Sequence, residues 1–126
     1  MEFAILVPVL MVLAMGCTDL GRVFHTYLIV SNAARCGADY AATHNPAAYD
    51  RASWEAVIRE TVDTEMRGFH HYEAGRLDVE ISSTDEGGGL YRVAVTASYP
   101  HESIVNWPGV PAIVGLSHQV QMRRTR

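Results

Sequence analysis

Hydrophobic positions along this chain fall into three textures. From Phe3 to Cys17 fifteen consecutive residues carry no charge. From Asp19 to Ala42 apolar and polar residues recur at helical spacing, and from Leu77 onward the period drops to two. The first texture predicts a membrane-embedded helix. At about 1.5 Å per residue it covers roughly 22 Å of a hydrocarbon layer about 30 Å thick. Apolar character continuing through Leu20, Val23, Phe24 and Tyr27 to Val30 makes up the shortfall. Between Glu2 and Arg35 the only formal charges are Asp19 and Arg22, three residues apart and close enough on a helix to neutralise each other. An intrahelical pair and a charge relay between packed helices both remain open for them.

The helix is expected from Glu2 to Ala42, with a bend near Ala4 to Pro8 because proline removes one backbone hydrogen bond. Leu20, Phe24, Tyr27 or Leu28, Ser31, Ala34, Ala38 and Ala41 form one stripe, suited to a helix half-embedded in a globular head. Ala33, Ala34, Gly37, Ala38 and Ala41 make a close-packing face, more often used within a chain than between chains. THNPAA, Thr43 to Ala48, ends the helix at Pro46. A second helix follows, capped by Asp50 or Ser53, with Trp54, Val57, Ile58, Thr61, Val62 and Met66 as its apolar face and Gly68 as its stop. Leu77, Val79 and Ile81, then Tyr91, Val93, Val95, Ala97 and Tyr99, alternate with polar residues across an SSTDEGGG loop, predicting an antiparallel hairpin with one wet face. Pro100 to Gly115 reads as an apolar loop and Leu116 to Met122 as a third strand. The expected fold class is α+β: a long N-terminal transmembrane or stalk helix over 1–42, and a head over 43–126 with a second amphipathic helix and a small antiparallel sheet of about three strands packed on the stalk. The apolar loop, with Ile104, Val105 and Trp107, is a candidate contact surface of the head.

Composition is that of an ordinary small domain, with 126 residues, 48% hydrophobic and 19% charged. A net charge of −4 leaves no basic face for a phosphate backbone, so nucleic acid is not expected as a partner. On one helix Cys17 and Cys36 lie about 28 Å apart, far beyond disulfide reach. A cleaved signal peptide would need basic residues ahead of the apolar run, whereas Met1 and Glu2 stand there and the helical pattern persists beyond it. His70 and His71 with Glu65 and Glu73 invite a zinc hypothesis, but adjacent histidines point apart on regular structure and no HExxH or paired-cysteine spacing occurs. No metal, cofactor or catalytic residue is expected.

The run EFAILVPVLMVLAMGCTDLGRVFHTYLIVSNAARCGADYAA resembles the N-terminal signature of TadE-like proteins, minor pilin or pseudopilin components of tight-adherence (Tad/Flp) pilus systems. The likeness covers Glu2 to Ala42. It rests on the Glu-Phe opening with nearby Pro8, the acidic Asp19 followed by Gly21 and Arg22, and the segment Asn32 to Ala38. Family members often carry glutamate where Asp19 stands, and an Arg-Glu-Gly-Ala-Arg run where this chain has Arg35 to Asp39.

The resemblance implies a type IV pilin-like fold and a non-enzymatic role in pilus assembly. It also implies a single pass through the bacterial inner membrane, with the head in the periplasm or outside the cell. Implied partners are other pilins and pilin-like proteins, the inner-membrane assembly platform, membrane lipid and, given a leader upstream of the Glu-Phe pair, a prepilin peptidase. Glu2, Asp19 and Arg22 are then the residues for subunit docking and register, Glu2 by meeting the amine of a neighbouring chain. Without a neighbour, Glu2 complements the helix dipole at the membrane surface. Counting arginines, with Arg22 and Arg35 after the apolar run and none before it, favours the opposite orientation. The alternative function is a generic single-span protein whose head senses or binds a ligand.

Overall fold

The computed structural model describes residues 3–44, 50–105 and 108–125. Helix α1 (Phe3–Thr43) is 41 residues long, about 60 Å, and Pro8 lies inside it. Its N-terminal stretch, from Phe3 to Met15, is exposed all round, with Leu10, Met11 and Leu13 each more than half accessible. Beyond Asp19 one face turns inward, carrying Thr26, Val30, Ala33, Ala34, Gly37, Ala38 and Ala41 into the core. The helix ends at Thr43, whose hydroxyl donates to the Asp39 carbonyl at 2.9 Å. Pro46, the expected terminator, lies outside the described residues.

The stripe expected to face the head is only partly the one that does. Its upper members Ala34, Ala38 and Ala41 are buried, but Leu20, Phe24 and Leu28 are 60 to 66% exposed. The packing face lies to one side of that stripe, along Asp19, Thr26, Val30 and Gly37. Small and hydroxyl-bearing side chains let neighbouring elements approach the helix backbone, and a Leu-Phe-Leu ridge would hold them off.

Helix α2 (Arg51–Met66) packs on α1 through Trp54, Ile58, Val62 and Met66, an i, i+4 stripe that is fully or nearly fully buried. Val57 is exposed, so the buried face is narrower than expected. Asp50 occupies the N-cap position without a side-chain bond, and Arg67 ends the helix in right-handed geometry, so Gly68 does not serve as a left-handed stop. The Trp54 indole N–H instead reaches back to the His44 carbonyl at 3.1 Å, tying α2 to the end of α1.

After a 3-10 turn at Ala74–Arg76 come β1 (Asp78–Gly87), β2 (Leu90–Glu102) and β3 (Ile113–Thr125), an antiparallel sheet in the order β1-β2-β3. Val93, Val95, Ala97, Tyr99 and His101 of β2 alternate into the core against α1. All three strands outrun their expected limits. Ser83 to Asp85, expected in a loop, pair with Tyr91 to Val93; the half-buried Ser83 is polar and Thr84 and Asp85 are exposed, so the outer end of this edge strand carries no apolar alternation. The turn tightens onto Gly87, Gly88 and Gly89, all at positive φ. At the other end Pro100, His101 and Glu102 pair with Gly115, Val114 and Ile113, shortening the expected loop. The α+β architecture is therefore the pilin-like one: a long apolar N-terminal helix, a second helix and a three-stranded antiparallel sheet.

Candidate functional site

The polar residues of α1 meet the head at one junction, where the helix leaves the sheet. Asp19, Arg22 and Thr26 lie at i, i+3 and i+7, so they share the inward face for two turns. Opposite them stand His101 at the end of β2 and the first residues of the β2–β3 loop. Asp19 is 6% exposed. One of its carboxylate oxygens accepts a short hydrogen bond from the Ser103 hydroxyl, and the other accepts from the Ile104 backbone N–H at 3.2 Å. Ser103 N–H in turn donates to the Ala112 carbonyl at 2.9 Å, closing the base of the loop. The Asp19 carboxylate thus anchors a loop more than eighty residues downstream.

Arg22 approaches Asp19 only to 3.8 Å, too far for a hydrogen bond, so the expected pair contributes charge compensation rather than geometry. The Arg22 Nη1 atom is buried without a hydrogen-bond partner among the described residues. Thr26 donates its hydroxyl to the Arg22 carbonyl at 2.9 Å, which leaves the oxygen as acceptor for His101 Nδ1 at 3.2 Å. That assigns the proton of neutral His101 to Nδ1 and leaves Nε2, buried and without a partner among the described residues, as the bare ring nitrogen. Burial, reinforced by the Arg22 cation, pushes the His101 pKa below its ordinary value, against the opposing pull of Asp19 and Glu102.

Of the open grooves that border the junction, two are apolar. One, of about 420 Å³, runs between Gly16, Leu20 and Val23 of α1 and Val110 and Val114 of the head. The other, of about 220 Å³, lies between Ala14, Met15 and Thr18 and the loop residues Ile104 and Val105. Their walls are almost wholly apolar, with Asp19 at the back of both.

Of the other residues singled out in the sequence, Glu2 and Trp107 lie outside the described residues. Ala33, Ala34, Gly37, Ala38 and Ala41 are buried inside the chain, and a Cβ on Gly37 would come within 2.6 Å of Val62 Cγ2 on α2 and 3.4 Å of Val95 Cγ1 on β2. Ile104 is 67% exposed and Val105 half-buried. His70 and His71 lie with their rings 5.2 Å apart beside an open groove that also takes in His25. No group of three or more His, Cys, Asp or Glu side chains fit to hold a metal occurs among the described residues. Cys17 and Cys36 are free.

Ser103, Thr26 and His101 were missed in the sequence. The one available signal was Asp19 itself, since a carboxylate in an apolar helix needs donors. Nothing local identifies donors so far along the chain.

A family model described as TadE-like protein matches residues 1–39, just under a third of the 126-residue chain. The match takes in the exposed apolar segment of α1, the α1 side of the Asp19 junction and most of the buried small-residue face. Neither the comparison with curated proteins nor that with solved structures found a match.

Proposed function

We propose that this chain is a non-enzymatic minor pilin or pseudopilin-like component of Tad/Flp pilus assembly, held in the inner membrane by the N-terminal half of α1 with its head outside the cytoplasm. The observation that carries this reading is the coincidence of the TadE-like match with a helix whose first thirteen described residues, Phe3 to Met15, are apolar and exposed while its continuation is the spine of the head. A water-soluble role would leave that surface uncovered. A lipid layer covers it, and a helix continuous from the membrane into the core carries the head rigidly. Of the residues proposed for subunit register, Glu2 and Arg22 keep that role, while the Asp19 carboxylate, buried and held by Ser103 and Ile104, serves as the anchor of the β2–β3 loop.

The partners are other pilin-like stalks and the assembly platform. A photo-crosslinking residue in place of Phe24, on the exposed ridge of α1, tests this in cells carrying an active Tad system. Crosslinks to pilin-like helices or to platform proteins are expected, together with loss of surface pili when the chain is deleted. Normal pili in the deletion strain, with crosslinks to lipid alone, would sink the proposal.

A further inference from the structure

The β2–β3 loop lies at a definite height along α1. Tyr27 Oη meets His118 Nδ1 at 3.0 Å, and Arg124 Nη1 donates to the His44 carbonyl at 3.1 Å, so α1 and β3 rise side by side in the same direction. Following both back from the Tyr27–His118 contact, the five residues of β3 down to Ile113 span about 17 Å, equivalent to roughly eleven residues of helix, which reaches Gly16. The groove shared by Gly16, Val110 and Val114 agrees. Gly16 belongs to the uncharged run of α1, so the loop hangs beside helix that the proposed anchoring puts at the edge of the hydrocarbon layer.

The head is also polarised along this axis. Its far end carries Glu86 clasped by Arg92 and Arg123, with Arg124 beside them. At the near end the chain runs from Ser103 to Ser117 without a single charge, and Ile104, Val110 and Ile113 are each at least half exposed. Of the carboxylates at this level, Asp19 is turned inward, its oxygens held by Ser103 and Ile104, which keeps its charge off the surface the loop presents. Two charged groups border the patch: Glu102, which stands opposite Ile113 in the sheet register and is paired with Arg76 at 2.6 Å, and Arg22, whose side chain is 36% exposed beside Asp19.

We infer that the β2–β3 loop is a second membrane contact, a foot that rests in the headgroup–acyl boundary beside α1 through Ile104, Val110 and Ile113, and so fixes the tilt and depth of the head on the bilayer. Its ligand is the lipid surface rather than a protein, because the patch lies directly above the apolar helix segment Phe3 to Met15, which is exposed on every side, and because Asp19 is turned inward and Glu102 is already paired with Arg76 rather than left for a complementary partner. The inference rests on the anchoring proposed above, and the experiment separates the two.

The full chain, with Cys17→Ala and Cys36→Ala, receives one cysteine at a time at Val12, Ile104, Val110 or Thr84, is spin-labelled, and is reconstituted into phosphatidylethanolamine–phosphatidylglycerol vesicles. Collision with oxygen, which enters lipid, is compared with collision with a water-soluble nickel chelate. Labels at Ile104 and Val110 should give an oxygen-to-nickel ratio at least about threefold above that at Thr84, on the far hairpin, and below that at Val12. Ratios at Ile104 and Val110 equal to that at Thr84, with Val12 lipid-exposed, overturn the foot and leave the anchor standing. Shielding of both loop labels from both reagents overturns it in favour of a protein partner, and a water-exposed Val12 overturns the anchor itself.

Discussion

The two halves of α1 obey one helical period in two different surroundings. Below Asp19 the exposed side chains are Leu, Val, Met and Phe; above it the buried ones are Ala, Gly, Thr and Val. Large side chains outside and small ones inside is the reverse of a water-soluble helix. Exposed Leu10 and Leu13 would each forgo about 1.5 to 3 kcal/mol in water, whereas in hydrocarbon they forgo nothing. Small residues are used where another backbone must come close. The difference teaches that side-chain size along this helix follows its cover: small residues where the head packs closely, large ones where no element of the chain covers it, Leu20, Phe24 and Leu28 above Asp19 included.

The sharpest way to break the comparison is to place a charge in the lower half. Val12→Arg should disfavour bilayer insertion by about 3 kcal/mol. The chain should move from membrane to soluble or aggregated fractions on carbonate extraction, while the head melts unchanged in detergent. Next in size is overpacking of the upper half. Gly37→Val, with a Cβ driven against Val62 and Val95 and a branched side chain beyond it, should destabilise the head by about 2 kcal/mol in detergent-based chemical denaturation. Leu13→Val in the lower half, the matching control, should leave that transition where it was.

At the boundary itself, Asp19→Ala leaves the Ile104 N–H without its acceptor and the Ser103 hydroxyl with only the Val105 carbonyl at 2.9 Å, and should cost about 1 to 2 kcal/mol. Limited proteolysis should then cut first within residues 103–112. If the cut falls first in the β1–β2 turn instead, the anchoring role of Asp19 is wrong.

The smallest effect is the pH dependence of the same junction. His101 has a pKa below its ordinary 6.5 in the folded chain, so the unfolded chain takes up a proton first as pH falls. Head stability should be at its full value above about pH 7 and decline as pH drops through the ordinary histidine range. His101→Gln should remove that decline. Asp63, whose pKa is lowered chiefly by the Tyr72 hydroxyl bond, contributes stability that is lost only below its unfolded value of 3.8, so the two windows are separable in a denaturation series against pH.

Much of this architecture was legible along the chain because it depends on the period of neighbouring residues. The expected first helix, Glu2 to Ala42, differs by one residue at its end from the observed Phe3–Thr43. The alternation of Val93, Val95, Ala97 and Tyr99 identified the core face of the central strand. The errors fell where local period is silent. Ser83 to Asp85 form the polar outer end of an edge strand, and Leu20, Phe24 and Leu28 are apolar yet lie off the face that packs on the head.

By itself the sequence determined the elements, their order and the uncharged, apolar character of the start of α1, since hydrophobic period and charge content are properties each segment holds alone. Only the tertiary structure decided which side of α1 the head occupies, that the Asp19 carboxylate is held by Ser103 and Ile104 with Arg22 at a distance, and that an uncharged loop is brought down beside Gly16. Those outcomes depend on segments more than eighty residues apart meeting in space, and the free energy of such a meeting belongs to the pair, not to either stretch of chain.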